Sequence, residues 1–272
     1  VAQWKKEEIQ EGFLVSGMLI PMIVPIDTPL WMIAVATAFA VVFAKEVFGG
    51  TGYNIFNVAL VTRAFLFFAY PAAMSGDKVF VRTADTFGLG AGPVVDGFSG
   101  ATPLGIASTA TSGTGYPAFS MDMITGLIPG SIGETSVIAI AIGAVLLLWT
   151  GIASWKTMLS VFVGGALTAC MFNAIGMENN AMANMPWYEH LVLGGFFMAT
   201  DPVTSARTER GKWIYGFLIG FLAICIRVLN PGYPEGMMLA ILMMNIFAPL
   251  IDYYVVDANI KRRANRLKQT AN

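Results

Sequence analysis

Thr157-Met-Leu-Ser-Val-Phe-Val-Gly-Gly-Ala-Leu-Thr-Ala-Cys-Met-Phe-Asn-Ala-Ile175 contains no charged residue. A run of that length and polarity is close to the ~20 apolar residues that cross a bilayer as a helix. Similar runs lie on both sides of it, giving eight candidate spans. They cover about Phe13–Val24, Leu30–Phe43, Ile55–Tyr70, Glu134–Trp149, Thr157–Ile175, His190–Thr200, Trp213–Val228 and Gly236–Ile251. The chain is 56% hydrophobic and 12% charged, against about a quarter charged in soluble proteins. The expected fold is an all-α integral membrane protein, one transmembrane domain over residues 1–272. Several runs are short and interrupted by glycine, as discontinuous helices are. The start at Val1 predicts that further residues precede it.

Counting basic residues orients the spans. With the tail Lys261, Arg262, Arg263, Arg266 and Lys268 in the cytoplasm, Lys5, Lys6, Lys45, Lys156, Arg207, Arg210 and Lys212 share that side. Lys78, Arg82 and Arg227 fall outside, and Arg63 lies within a span. This asymmetry puts the long polar interval at about residues 71–132 on the outer face.

That interval contains Asp96-Gly97-Phe98-Ser99-Gly100-Ala101-Thr102. Gly97 and Gly100 permit turn geometry, and Asp96 and Ser99 can bond the local backbone. Pro103 biases Thr102 toward extended backbone with its hydroxyl outward. The segment suits either an acceptor loop for a modifying enzyme or an ordinary turn.

Two cytoplasmic loops occupy corresponding places in the two halves, as in an inverted repeat: Lys45–Asn57 and Met198–Arg207. The Gly49–Gly52 cluster breaks a helix more readily than it cradles a phosphate, since no Lys-Ser/Thr follows. Asn54 and Asn57, three apart, would share a helix face and could read a flat heterocycle, or could cap the helix. Arg63, Asp201 and Asp252 are charges at membrane depth, with Glu46 and Glu235 near the boundaries. Arg63 is expected either in a structural ion pair or in function. Asp201 precedes Pro202 and fits a helix cap or a binding role. Asp252 ends the last candidate span and offers oxygen donors to a hard cation such as sodium.

Cys170 and Cys225 are far apart in sequence and read as buried free thiols. A single histidine, His190, excludes a Ser-His-Asp triad and makes a zinc site improbable. No basic, aromatic-rich surface for nucleic acid is present.

The chain resembles the B-subunit family of sodium-translocating NADH:quinone oxidoreductases. The likeness rests on Ala44-Lys-Glu-Val-Phe-Gly-Gly-Thr-Gly52, Arg63–Pro71, Phe98-Ser-Gly-Ala-Thr102, Pro129-Gly-Ser-Ile-Gly-Glu134, Phe197-Met-Ala-Thr-Asp-Pro202 and Tyr233–Ile241. The D subunit of the Rnf ferredoxin:NAD oxidoreductase shares the Gly-Gly turn, the Thr102 loop and Thr-Asp-Pro. The resemblance implies a urea-transporter-like bundle of inverted repeats in a bacterial inner membrane. It implies covalent FMN on Thr102, attached by a flavin transferase that recognises Asp96, Ser99, Gly100 and Ala101. It implies noncovalent riboflavin near Asn54, Asn57 and Asp201, and a sodium path at Asp252. Quinone, membrane lipid and other membrane and flavoprotein subunits are the implied partners. The chain departs from the family's Asn-Pro-Ala at Asn57-Val58-Ala59. From another class, a urea-transporter-type solute channel would share the broken helices but has no use for Asp96–Thr102.

Overall fold

A computed structural model describes residues 12–25, 28–50, 52–74, 80–81, 99–100, 102–110, 119–176, 180–192, 199–230 and 236–271. Asp96, Ala101 and Glu235 lie outside this set.

Apolar sequence becomes helix almost wherever it is expected. In chain order the helices are α1 (Gly12–Ile23), α2 (Leu30–Ala40), α3 (Val58–Ala69), α4 (Pro71–Met74), α5 (Pro103–Thr109), α6 (Met121–Thr125), α7 (Val137–Trp149), α8 (Trp155–Ile175), α9 (Ala181–Asn184), α10 (Trp187–Val192), α11 (Glu209–Leu229) and α12 (Met237–Ala271). Among the described residues, four helical stretches are long and apolar enough to cross a membrane: Leu30–Phe48, Trp155–Ile175, Glu209–Leu229 and Met237–Gln269. Three shorter apolar helices, α1, α3 and α7, accompany them. The protein is all-α and membrane-embedded in type. Beyond the helices, Phe80–Val81 pairs antiparallel with Ser99–Gly100.

Two boundaries differ from expectation. The second span does not stop at Phe43: after α2 the chain widens into a π turn, Val41–Lys45, and tightens into a 3₁₀ turn, Glu46–Phe48. Of His190–Thr200, the structure describes α10 to Val192 and a 3₁₀ turn at Ala199 and Thr200, and residues 193–198 lie outside the described set. The last span continues through Asp252 to Ala271, so Asp252 lies inside a helix and does not end one.

Packing falls into three clusters of buried apolar side chains. One joins α8, α11 and α12 around Val161, Ile219 and Ile241 and takes Leu60 from α3. A second gathers Leu104 and Ala107 of α5 against Phe172, Met185 and Val228. The third joins α1, α2 and α3 around Ile20, Ala36 and Leu66.

The tightest contact is between α8 and α11. A Cβ on Gly216 would run into the Thr157 carbonyl, and one on Gly220 into the Val161 carbonyl and the Gly165 nitrogen. Gly164 presses likewise on Phe217 backbone. In lipid, where the hydrophobic effect does not join helices, such small-residue seams supply close backbone packing. The Ser160 hydroxyl donates to the Trp213 carbonyl across the same seam. Both cysteines are free, but only Cys225 is partly buried; Cys170 is exposed on the outer side of α8, which corrects the expectation of two buried thiols.

Candidate functional site

The two interrupted loops meet. After the 3₁₀ turn, Gly49, Gly50 and Gly52 take φ of 120°, 92° and 92°, a left-handed path closed to most side chains. It ends the helix, as a break would and a phosphate cradle need not. The chain then reaches Asn57, whose extended backbone (φ −66°, ψ 119°) caps α3. Its Oδ1 accepts from the Ala59 and Leu60 N–H groups at 3.0 and 3.3 Å. Its Nδ2 donates to Asp201 Oδ2 at 3.0 Å. Asp201 in turn holds its own turn: Oδ1 accepts from Val203 N–H at 3.1 Å, and Oδ2 accepts from the Thr204 hydroxyl at 3.1 Å. The capping alternative for Asn57 is therefore realised, and the same side chain joins the two halves. Asn54 does not share a helix face with it. Asn54 lies ahead of α3 and donates from Nδ2 to the Phe56 carbonyl at 3.2 Å.

Behind this junction is a pair that sequence reasoning missed. Tyr215 of α11 donates through its hydroxyl to Asn245 Oδ1 of α12 at 2.7 Å, and both residues are buried. Asn245 Nδ2 is buried and finds no partner among the described residues. The available signal was one amide in the otherwise apolar run Met237–Ile251.

Asp252 works between helices. Its Oδ2 accepts from Arg207 N–H at 2.8 Å, and Oδ1 accepts from Thr208 N–H at 3.0 Å and from the Thr208 hydroxyl at 2.6 Å. Thr208 is the N-cap of α11, its Oγ1 accepting from Gly211 N–H at 3.1 Å. The carboxylate of α12 thus satisfies backbone donors that α11 leaves open at its start. No group of three or more His, Cys, Asp or Glu side chains able to hold a metal occurs among the described residues.

Arg63 is buried and its Nη1 bonds Glu134 Oε1 at 2.6 Å, the ion pair that was one of its two readings. His190 is also buried, with Nε2 3.0 Å from the Met182 carbonyl, while its own carbonyl accepts from Arg227 Nη1 at 2.8 Å.

Thr102 has the extended backbone that Pro103 imposes, φ −61° and ψ 152°. It is half-buried where an outward hydroxyl was expected, because it caps α5: Oγ1 accepts from Gly105 N–H at 3.1 Å. Ser99 and Gly100 reach it from the short paired strand, in register with Val81 and Phe80.

Among known proteins, several curated relatives match most of the chain. The B subunit of the Na(+)-translocating NADH-quinone reductase of Klebsiella pneumoniae (strain 342) is 52% identical over 96% of this chain and 63% of its own length. Its namesakes from Chromohalobacter salexigens and Pseudomonas aeruginosa (strain LESB58) are 53% and 50% identical over 95% and 97% of the chain, and 62% and 64% of their own. The chain thus spans a little under two thirds of the relatives it matches. A profile of the NQR2, RnfD, RnfE family matches residues 1–261. The chain belongs to the NQR2, RnfD, RnfE family.

Proposed function

We propose that this chain is the membrane redox subunit of a sodium-translocating NADH:quinone reductase, a translocase component that is not catalytic alone. Identity of 50% or more across nearly the whole chain to proteins bearing that name is the observation that carries the reading. Bound FMN and riboflavin would supply the electron-carrying chemistry between NADH and quinone, which amino-acid side chains cannot.

Thr102 fits a phosphoester. Its oxygen spends one lone pair on Gly105 N–H, and an ester oxygen keeps acceptor capacity after losing its proton. The α5 core contacts of Leu104 and Ala107 would hold the modified residue in place. Asp96, Ser99, Gly100 and Ala101 are assigned to recognition by the transferase. We assign the Thr102 segment to the periplasmic side of a bacterial inner membrane and the C-terminus to the cytoplasmic side, a reading that the Lys and Arg distribution supports.

The riboflavin site is assigned to the junction of the two broken loops. There Asn57 and Asp201 spend most of their polar atoms on capping and on each other. They act as the clamp, while the Asn54 amide keeps an oxygen free of partners among the described residues to read a heterocycle edge. Asp252 is assigned to the sodium path, a role in which an arriving cation would compete with Arg207 and Thr208 for its oxygens.

Intact mass after denaturation tests the central assignment. A gain of one FMN less water, absent from Thr102→Val, is the expected result; a label that survives the substitution places the flavin elsewhere. The Rnf-type alternative is separated by electron donor, ferredoxin in place of NADH. A colourless native preparation at unmodified mass would favour the urea-transporter-like solute channel instead.

A further inference from the structure

We propose that the cleft between the α7–α8 turn and the loop leading into α11 binds the phosphodiester headgroup of an anionic glycerophospholipid. The cleft encloses about 440 Å³. Lys156, Arg207 and Lys212 line it against one carboxylate, Glu209. Glu209 is shared between two ammonium groups: Oε1 bonds Lys212 Nζ at 2.7 Å, and Oε2 bonds Lys156 Nζ. The Arg207 guanidinium has no acidic partner among the described residues; only its backbone N–H is held, by Asp252. The lining therefore carries three cations against Glu209 in a recess, with the Asp252 carboxylate turned to the backbone N–H groups of Arg207 and Thr208 behind it.

Depth selects the ligand. Spanning helices α8 and α11 both begin here and α7 ends here, so the cleft lies where hydrocarbon gives way to headgroups. Tryptophans mark the same level, as they do at bilayer interfaces. Trp149 is 88% exposed and Trp155 55%, and the Trp155 ring meets Trp213 edge-on at 5.9 Å. Ile152, which lines the cleft, is 57% exposed and gives it an apolar sill beside the cations. Free phosphate or a soluble nucleotide would use the charges but not the sill. A lipid uses both, which is how basic pockets between spanning helices take anionic headgroups. Asn54, Asn57 and Asp201 do not line this cleft, although Thr200, Pro202 and Arg207 of the Asp201 loop do, so flavin content is read beside lipid retention.

Native mass spectrometry of the complete complex, extracted in mild detergent and re-equilibrated with phosphatidylglycerol, reads the site directly. Retained phosphatidylglycerol is expected, and Arg207→Gln with Lys156→Gln should weaken retention roughly fivefold per cation removed, about twenty-five-fold together. Flavin content should match the wild type. Unchanged retention in the double variant, equal retention of phosphatidylcholine, displacement by millimolar inorganic phosphate, or flavin lost together with lipid would each overturn the proposal. Should the double variant not assemble, the wild type decides. Its retention must fall as salt rises from about 0.05 to about 0.5 M, because screening shortens the reach of the cations, and a flat profile overturns the idea.

Discussion

At Asp252 a carboxylate carried by one spanning helix closes the start of another. Replacing it with alanine removes the acceptor for two backbone N–H groups and a hydroxyl, and should lower thermal stability in detergent by about 2 kcal/mol. Asp252→Asn keeps an acceptor oxygen and should fold better than the alanine variant while losing sodium-stimulated turnover. Sodium dependence in Asp252→Asn equal to that of the wild type would remove Asp252 from the ion path and leave it as a cap. At the loop junction, Asn57→Leu or Asp201→Ala breaks the 3.0 Å clamp and should reduce extractable noncovalent flavin; unchanged stoichiometry would refute that placement. The Arg63 pair has a sign of its own. Glu134→Ala leaves a buried guanidinium short of its acid and should cost about 2 kcal/mol, discounted because Glu134 is partly solvated, with Glu134→Gln recovering much of it. Asn57 and Asp201 are legible as a pair because each follows a visible break in an apolar run. The Asp252 cap is not, because it depends on α11 and α12 lying side by side, and no local pattern near residue 252 reports what stands at residue 208.

Between helices, glycine matters more than hydrophobicity. Gly216 and Gly220 sit four apart on the face of α11 that meets α8, where a methyl group would collide with backbone that cannot rotate away. Gly220→Ala should therefore destabilise the protein by about 1–3 kcal/mol in a thermal-shift assay. Gly17→Ala is the control: nothing lies within 4 Å of its added Cβ, and removing a helix-interior glycine should be neutral or stabilising by up to about 1 kcal/mol. The existence of the long helices is readable from their apolar runs. Their ends are less so. The π and 3₁₀ turns after Ala40 carry the helical path on through Lys45 and Glu46, charges that read in the sequence as a stop. The polar residues after Ile251 look like a stop, whereas a helix leaving the membrane simply continues in water.

For the whole molecule, the charge distribution makes a claim about sidedness. In a background with Cys170 and Cys225 replaced by serine, Ala72→Cys should react with an impermeant maleimide in intact cells, and Arg210→Cys only after the membrane is opened. The reverse order would invert the topology and with it the face assigned to Thr102. The long helix α12 carries a mechanical corollary. From Asp252 to Ala271 it continues for about 28 Å at 1.5 Å per residue, with its basic residues turned to solvent. It is a stiff lever whose fulcrum is the carboxylate gripping Arg207 and Thr208. Torque applied to its exposed basic stretch by anything docked there would be delivered, through a few backbone atoms, to the stretch of chain that bears Asp201.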